Sequence, residues 1–231
     1  MGLHQKQFLI HSSSLTYHRR RVSYPTRYQE RYYNAKYHYH GIKLQGMVSP
    51  VGILESVFGP LPSIRNDAAM WSLARDFSPM DRINTAVGRH CFALGDPAYR
   101  GHHMHNYIAT SFSRFQPGGL TREQAAYNGS LARARVVIEW MFGRVYTLWR
   151  RLQFVPRMQV CATPLGKMYL VCAILTNVHT CLNGGNQVSF YFGGTPPTLD
   201  EYLAAPRPQH RTSRAHAFYE RAQEIFDDMY G

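Results

Sequence analysis

The stretch LARARVVIEWMFGRVYTLWRRL, residues 131–152, constrains the fold most, because its apolar residues recur at helical spacing over about six turns. At 100° per residue, one stripe of this predicted helix consists of Ala134, Val137, Met141, Val145, Leu148 and Leu152. One acid, Glu139, lies nearly opposite the stripe, among five arginines. A helix with such a stripe requires a second apolar layer to cover it, which predicts a packed globular domain.

The length and composition of the chain are those of a globular protein with one main core. It has 231 residues, of which 45% are hydrophobic, and no apolar run that approaches the roughly 18 residues of a membrane-spanning helix. The first residues, MGLHQKQFLIHSSS, lack the apolar core of a signal peptide, so secretion is not expected. The four cysteines form no CxxC pair, which favours reduced and buried thiols.

Two strands and a turn are predicted near residues 40–58. HGIKLQGMV places Ile42, Leu44 and Val48 at alternate positions, which is typical of a strand covered on one face. SPVG, residues 49–52, has Pro and Gly spaced for a tight turn, and GILESVF returns as the second strand. The two strands are expected to pair antiparallel.

The remaining pattern predicts helices around a further strand. A helix is expected from Asn66, a candidate N-cap, through DAAMWSLARDF, and HCFALGD, residues 90–96, is typical of a buried strand. Thr121 and Gln124 have the spacing of a capping box, with a possible break at Gly129 and Ser130 before residue 131. PLGKMYLVCAILTNVHTCL is expected to form a helix that begins at Pro164 and ends at NGG. Residues 193–213 resemble a linker, and residues 214–229 fit a terminal amphipathic helix.

The charge balance points to a polyanionic partner. The chain has 26 Lys and Arg against 14 Asp and Glu, for a formal charge of +12. Residues 1–50 hold eight Lys or Arg, seven tyrosines and one acid, Glu30. Arginine binds phosphate through a planar fork and tyrosine stacks on bases, so this segment suits a nucleic-acid surface. A basic arm without a specific ligand is the alternative interpretation.

Three acids are candidates for chemistry, and each also has a structural interpretation. Asp67 in the first turn of a helix favours the positive end of the helix dipole, which is a structural role. Asp96 ends an apolar strand, and open α/β sheets bind ligands at the carboxyl ends of strands. Glu139 follows Arg135 by four residues, which is typical of a solvated ion pair. Gly143, one turn later, is the local hint that something approaches this side of the helix closely.

Four blocks carry a resemblance to a known family. They are YHYHGIKLQGMVSPVGILESVFGPLPSIRNDAAM, FALGDPAYRG, YNGSLARARVVIEWMFGRVYTLWRRL and LVCAILTNVHTCL, within residues 29–182. In this order they resemble the nuclease domain of Harbinger-type transposases and the nucleases derived from them, a branch of the DDE superfamily. The resemblance implies an α/β fold with a ribonuclease-H-like mixed sheet flanked by helices. It also implies a basic N-terminal arm or degenerate first strand at 1–28, the nuclease domain at 29–184, and a linker with an irregular C-terminal tail and helix at 185–231.

The chemistry that the resemblance implies is cleavage or transfer of a DNA phosphodiester. Carboxylates of this family hold two divalent ions, magnesium or manganese, roughly 3.5 to 4 Å apart. Asp96 matches the second acid of the triad, Glu139 the third, and Asp67 an additional aspartate that supports the metal site. His102 and His103 follow Asp96 closely, but the resemblance does not require them as ligands. DNA and a separate DNA-binding protein are the implied partners, no membrane is implied, and nuclear residence is expected, with the cytoplasm as the alternative.

The chain departs from the family at the first triad acid. That acid belongs to an Asp-Gly block about two dozen residues before HGIKLQ, whereas this chain has no aspartate before Asp67. Ser12, Ser13 and Ser14 occupy that region instead. We therefore expect a degenerate or truncated transposon nuclease with impaired activity. The alternative is a catalytically inactive DNA-binding or adaptor protein, and a basic RNA-binding protein is a third interpretation.

Overall fold

The computed structural model describes most of the chain. The described residues are 14–25, 29–36, 38–65, 70, 71, 74, 80, 84, 85, 91–95, 97–99, 108–153, 159 and 162–204. The chain divides into two compact units, Met1–Thr198 and Leu199–Gly231. In the second unit, the described residues form the short helix Leu199–Ala204, in a segment that the sequence suggested to be a linker.

A mixed sheet forms the centre of the first unit. In chain order its strands are β1 (Ser14–Arg21), β2 (Tyr33–Asn34), β3 (Tyr39–Val48), β4 (Leu54–Pro62), β5 (Ala93–Leu94) and β6 (Ile108–Ala109). β1 pairs antiparallel with β3 along its whole length and parallel with β5, and β5 pairs parallel with β6. β4 and β2 pair antiparallel with β3. The predicted α/β class is confirmed, and residues 14–21, assigned to a basic arm or degenerate first strand, lie inside the sheet as β1.

The predicted hairpin is confirmed. The backbone N–H of Gly52 donates to the carbonyl oxygen of Ser49 at 2.9 Å, which closes the turn at residues 49–52. Gly52 has a φ of 80°, a left-handed conformation that glycine adopts without strain. A side chain there would also overlap Asn186, so both the backbone conformation and the packing require glycine at position 52. The second strand runs four residues beyond the predicted GILESVF, to Pro62.

The prediction that β3 is covered on one face is wrong, because every residue from Gly41 to Val48 is buried. Leu44 and Val48 pack against the helices that follow residue 121, in one core cluster. Met47 lies in a second cluster with Trp71, Met80, Cys91, Ala93 and Tyr99. The apparently polar face of β3 is therefore a second core face, occupied by Lys43, Gln45 and Met47.

The long helix is α2, Arg122–Leu148, which follows a short α1 at Gln29–Tyr32. Its predicted capping box is confirmed: the Thr121 hydroxyl accepts from the Gln124 N–H, and the Gln124 side chain accepts from the Thr121 N–H. The suggested break at Gly129 and Ser130 is wrong, since the helix continues through both. It ends earlier than predicted, and a 3₁₀ turn follows at Arg150–Gln153.

The apolar stripe of α2 faces the core as predicted. Ala134, Met141, Val145 and Leu152 are buried, and Leu148 is half-buried, while the Val137 side chain lies outside the described residues. Phe142 adds to this face and packs directly on Gly46 of β3, where a Cβ would overlap its ring. The helix thus covers one face of the sheet, with the Phe142 ring in direct contact with the backbone of Gly46.

The next helix, α3, spans Leu165–Leu182, with Pro164 before it and Asn183 after it as predicted. It is long and apolar enough to cross a membrane by length and composition, with a mean hydropathy of 1.3, so the prediction that no such run exists is wrong. A core helix passes the same test, and Tyr169, Ala173 and Thr176 of α3 are buried. The described cysteines, at 91, 172 and 181, are free, and burial raises the thiol pKa of Cys172 and Cys181.

A buried asparagine ties α3, the hairpin turn and α4 (Gln187–Phe192) together. The Asn186 amide donates to the Gly52 carbonyl at 2.8 Å and to the Thr180 hydroxyl at 3.0 Å. Its Oδ1 accepts from the backbone N–H groups of Val188 and Ser189, which caps α4. Residues 187–192, assigned to the linker from the sequence, therefore form part of the first unit.

Asn186→Ala should lower the free energy of unfolding by about 2–4 kcal/mol, because it removes a helix cap and leaves buried polar groups without partners. Denaturant titration followed by circular dichroism measures this change. Asn183→Ala is the matched control, because Asn183 is exposed at the end of α3, and its effect should stay below about 1 kcal/mol. Equal losses in the two variants would contradict the structural role of Asn186.

Lys43 of β3 holds the chain beyond β4. Its side chain is 1% exposed, and its Nζ donates to the carbonyl oxygen of Arg65. The N–H of Arg65 donates in turn to the Pro62 carbonyl at 3.0 Å, and the N–H of Ser63 donates to Gly41 at 3.0 Å. Residues 63–65 are therefore anchored on β3 by two hydrogen bonds, one from the Ser63 N–H to Gly41 and one from Lys43 to the Arg65 carbonyl.

Lys43→Met should increase amide hydrogen exchange in residues 63–67 by about five- to tenfold, since the segment loses a hydrogen bond worth about 1 kcal/mol. Exchange followed by mass spectrometry of the peptide that covers these residues provides the measurement. Lys36→Met, at an exposed lysine, should leave the same peptide unchanged. An unchanged peptide in both variants would show that Lys43 does not anchor it.

Candidate active site

The parallel pairing of β1 with β5 defines the edge at which a site is expected. Ser14 of β1 pairs with Leu94 of β5, and Ala93 of β5 pairs with Ile108 of β6. The carboxyl ends of parallel strands meet at one edge of a sheet, where open α/β sheets bind their ligands. Asp96 follows β5 at this edge in the sequence, but it lies outside the described residues.

The backbone on both sides of Asp96 is held by contacts that the structure describes. The Gly95 N–H donates to the Ala109 carbonyl at 2.8 Å, and a Cβ on Gly95 would lie 2.5 Å from Cγ2 of Ile108. The 3₁₀ turn Pro97–Tyr99 comes next, and the buried Tyr99 donates its hydroxyl proton to Gln45 Oε1 at 3.3 Å. Gly95 is therefore required by close packing on β6, and Tyr99 ties the following turn to β3.

Asp67 and the candidate N-cap Asn66 also lie outside the described residues. The segment that leads to them ends at Arg65, two residues before Asp67, and Lys43 anchors it by a hydrogen bond to the Arg65 carbonyl. Ser63 adds a hydrogen bond from its hydroxyl to the Tyr32 carbonyl at 3.2 Å. Met70 and Trp71 are helical and buried, which agrees with the helix predicted to begin near Asn66.

Glu139 lies on α2 with its side chain 59% exposed. Its Oε1 is 4.0 Å from Nη2 of Arg135, so the predicted surface pair with Arg135 is confirmed. A Cβ added at Gly143 would meet no atom within 4 Å among the described residues, so the expected close approach at Gly143 is not found there. An exposed pair of this kind contributes about 0–1 kcal/mol, which leaves the carboxylate of Glu139 accessible to a ligand.

The structure therefore describes one of the three predicted acids and the surroundings of the other two. Within the described residues, no three His, Cys, Asp or Glu side chains come together as a metal-binding group. The histidines at 102 and 103 and the serines at 12 and 13 fall outside those residues, while Ser14 is the first residue of β1. The roles of Asp67, Asp96 and Glu139 as metal ligands remain predictions.

The positioning residues Lys43, Gln45 and Tyr99 were missed from the sequence. The alternation in HGIKLQGMV assigned Lys43 and Gln45 to a solvated face, although Met47 on the same face was an apolar signal against it. Tyr99 stands three residues after Asp96 in GDPAY, a spacing that gave no sign of its contact with Gln45. These contacts join parts of the chain that lie 22 and 54 residues apart, so local pattern does not reveal them.

The donor set that the three acids would provide suits a hard divalent cation. Aspartate and glutamate offer carboxylate oxygens, which magnesium and manganese bind together with water and phosphate oxygens. The carboxylate of Glu139 is exposed, and the Arg135 guanidinium lies 4.0 Å from it, so this carboxylate is compatible with such chemistry. The donor chemistry therefore fits a magnesium or manganese site.

Comparison with protein families identifies the family of this chain. Residues 18–177, more than half of the chain, match the family described as DDE superfamily endonuclease. No curated protein and no solved structure gave a significant match. The matched range begins within β1, includes Asp67, Asp96 and Glu139, and ends within α3. The chain therefore belongs to the DDE superfamily endonucleases.

Proposed function

We propose that this chain is a divalent-metal-dependent nuclease or transposase-like domain of the Harbinger type that acts on DNA phosphodiesters, with turnover impaired by the missing first acid. The observation that carries the proposal is the family match over residues 18–177. The mixed sheet with a parallel β1–β5 pair supports a ribonuclease-H-like arrangement, which belongs to the proposal. Nuclear residence is part of the same proposal.

In this proposal Asp67, Asp96 and Glu139 hold the ions. When bound, two divalent ions supply activation of the attacking oxygen and stabilisation of the leaving oxygen in phosphodiester cleavage. The chain contributes rigid supports: the contacts of Gly95 and Tyr99 fix the backbone beside Asp96, and Lys43 fixes the segment before Asp67. The surplus of basic residues attracts the phosphate backbone of DNA.

The register of β1 supports position 16 as the place where a first acid would stand. Ser14 pairs with Leu94, so Thr16 lies two residues further along β1, in the direction in which β5 runs toward Asp96. Thr16 is paired with Gly46, the residue of β3 against which Phe142 of α2 packs. By this register, an acid introduced at position 16 would stand on the sheet face that α2 covers, and α2 carries Glu139. It also precedes HGIKLQ by about two dozen residues, as the family's first acid does.

Thr16→Asp should raise cleavage of supercoiled plasmid in magnesium or manganese on the order of 100-fold, the contribution of one charge-stabilising group at a reacting centre. The assay is nicking resolved on agarose gels, with the fold checked by circular dichroism. Leu15→Asp is the matched control, because alternate strand positions lie on opposite faces of the sheet and position 15 faces away from α2.

The gained activity should vanish when Glu139→Gln is added to Thr16→Asp, and also when a chelator removes the metal. A folded Thr16→Asp protein that does not exceed wild type would contradict the missing-acid explanation. Activity gained equally by Leu15→Asp would show that added negative charge, and not a ligand at one face, is responsible.

An inactive DNA-binding or adaptor protein is the second candidate function. The observation that favours it is the absence of aspartate before Asp67 in a chain with a formal charge of +12. Binding would then fall steeply with salt and would not respond to a chelator, and an RNA-binding protein would instead prefer single-stranded RNA. Retention of Mn²⁺ by wild type, lost in Glu139→Gln, separates the metal-dependent proposal from this one.

A further inference from the structure

The turn between β6 and α2 presents a phenylalanine to solvent. Phe115 is 97% exposed, and we call residues 111–120, in which it lies, the aromatic turn. Arg114 beside it is exposed, and residues 97–122 contain no Asp or Glu. Single exposed apolar residues are common on proteins, but a nearly fully exposed aromatic ring within an ordered, acid-free segment is a reason to ask what it contacts.

The aromatic turn is held in place by hydrogen bonds to α2. Asn128 binds both the N–H of Phe112, at 2.8 Å, and its carbonyl oxygen, at 3.1 Å. The Phe112 ring packs edge-on against Tyr127 with centroids 5.4 Å apart. Gln116 Nε2 donates to Gln124 Oε1 at 2.6 Å. Phe112 is thus anchored by packing, whereas Phe115, three residues further, is presented outward.

The tip of the aromatic turn is a β-turn with little conformational freedom. The Gly119 N–H donates to the Gln116 carbonyl at 3.0 Å, with Pro117 and Gly118 as the central residues. Gly118 has a φ of 82°, so Pro and Gly occupy the positions that a type II turn requires. The backbone that carries the ring is therefore preorganised, and its ordering costs little entropy on binding.

The aromatic turn and Glu139 lie on the same face of α2. Asn128 and Glu139 are eleven residues apart, which is three full turns plus about 20° at 100° per residue. Arg135 lies between them, about 40° from Glu139. The axial separation of Asn128 and Glu139 is about 16 Å, so a nucleic acid that follows this helix face reaches both. The Asn128 anchor of the aromatic turn thus lies about 16 Å along α2 from Glu139, and Phe115 is separable from Glu139 by mutation.

We propose that Phe115 stacks on an unpaired base of the DNA on which this domain acts, with Arg114 contacting the adjacent phosphate. The proposal rests on the proposed function, since DNA is the occupant. Aromatic side chains that stack on bases beside basic residues are the means by which proteins bind single-stranded nucleic acid, and the turn offers both groups together. A protein partner would instead require a larger apolar surface around the ring than Phe115, between Arg114 and Gln116, provides.

The test measures fluorescence anisotropy of labelled single-stranded DNA of about 16 nucleotides, its duplex, and RNA of the same sequence, in EDTA so that catalysis is excluded. Phe115→Ala should weaken single-stranded DNA binding by about 5- to 150-fold, the loss expected for one stacked base. The dependence of affinity on salt should not change, because no phosphate contact is removed. Arg114→Ala should instead reduce the salt slope by about 0.7.

Two further variants sharpen the test. Phe190→Ala, at a phenylalanine of α4 that is 70% exposed, is the matched control and should bind as wild type does. Phe115→Trp should keep the affinity, and its added indole emission should be quenched by single-stranded DNA. Both variants should retain the circular dichroism spectrum of wild type.

The outcomes separate this inference from the proposed function. DNA binding by wild type that is unaffected by Phe115→Ala, or equally weakened by Phe190→Ala, overturns the inference and leaves the nuclease proposal intact. Tighter binding to RNA than to DNA also overturns it. Phe115-dependent DNA binding by a wild-type protein that retains no Mn²⁺, together with a Thr16→Asp protein that gains no cleavage, would instead overturn the nuclease proposal alone. A wild-type protein that binds no DNA contradicts both.

Discussion

The pairing of β1 between β3 and β5 is the constraint on which the rest of the first unit depends. β1 is antiparallel to β3 over eight residue pairs and parallel to β5 at Ser14 and Leu94. A one-residue slip of β1 would move every one of its side chains to the other face of the sheet. The register thus decides which residues of β1 lie beneath α2, and so where an acid on β1 would have to stand.

Burial on both faces makes β3 the partner that holds this register. Gly46 admits the Phe142 ring on one face, and Met47 packs among apolar residues on the other. A slipped β3 would place a side chain where the Phe142 ring now lies, which is costly in a core packed at normal density. Lys43 and Gln45 then use the second face to hold two segments, the approach to Asp67 and the turn after Asp96. One strand therefore stabilises the sheet and fixes the backbone beside two candidate ligands.

Features set by neighbouring residues could be predicted from the sequence. The capping box at Thr121 and Gln124, the turn at residues 49–52, the ends of α3 and the pair of Arg135 with Glu139 each depend on chemistry within a few residues, and all are confirmed. Features set by distant contacts were missed. β1, with the sequence SLTYHRRR, has no clear alternation, and β6 has two residues, so their strand structure comes from their partners. The strand predicted in HCFALGD is confirmed as β5, over two residues.

In the candidate site too, the sequence predicted what depends on neighbouring residues and missed what depends on distant contacts. Glu139 was placed away from the apolar stripe of α2, and its side chain is 59% exposed, as the helical period predicts. Whether Asp67 and Asp96 approach it depends on how three separated segments pack, which no local pattern determines. The supports beside these two acids involve residues 22 and 54 positions apart, and the sequence pattern assigned two of them to solvent.

In the proposed function, the single carboxylate among five arginines in residues 131–152 belongs to a surface that would bind both phosphate and a cation. Its exposed pair with Arg135 contributes about 0–1 kcal/mol, so the fold does not need Glu139. Arginines along α2 attract phosphate oxygens and repel a divalent cation, whereas a carboxylate does the reverse. In the proposed function, a second acid beside Glu139 would weaken the attraction for DNA, and removal of Glu139 would leave the cation without its ligand on α2. One acid beside Arg135 satisfies both requirements.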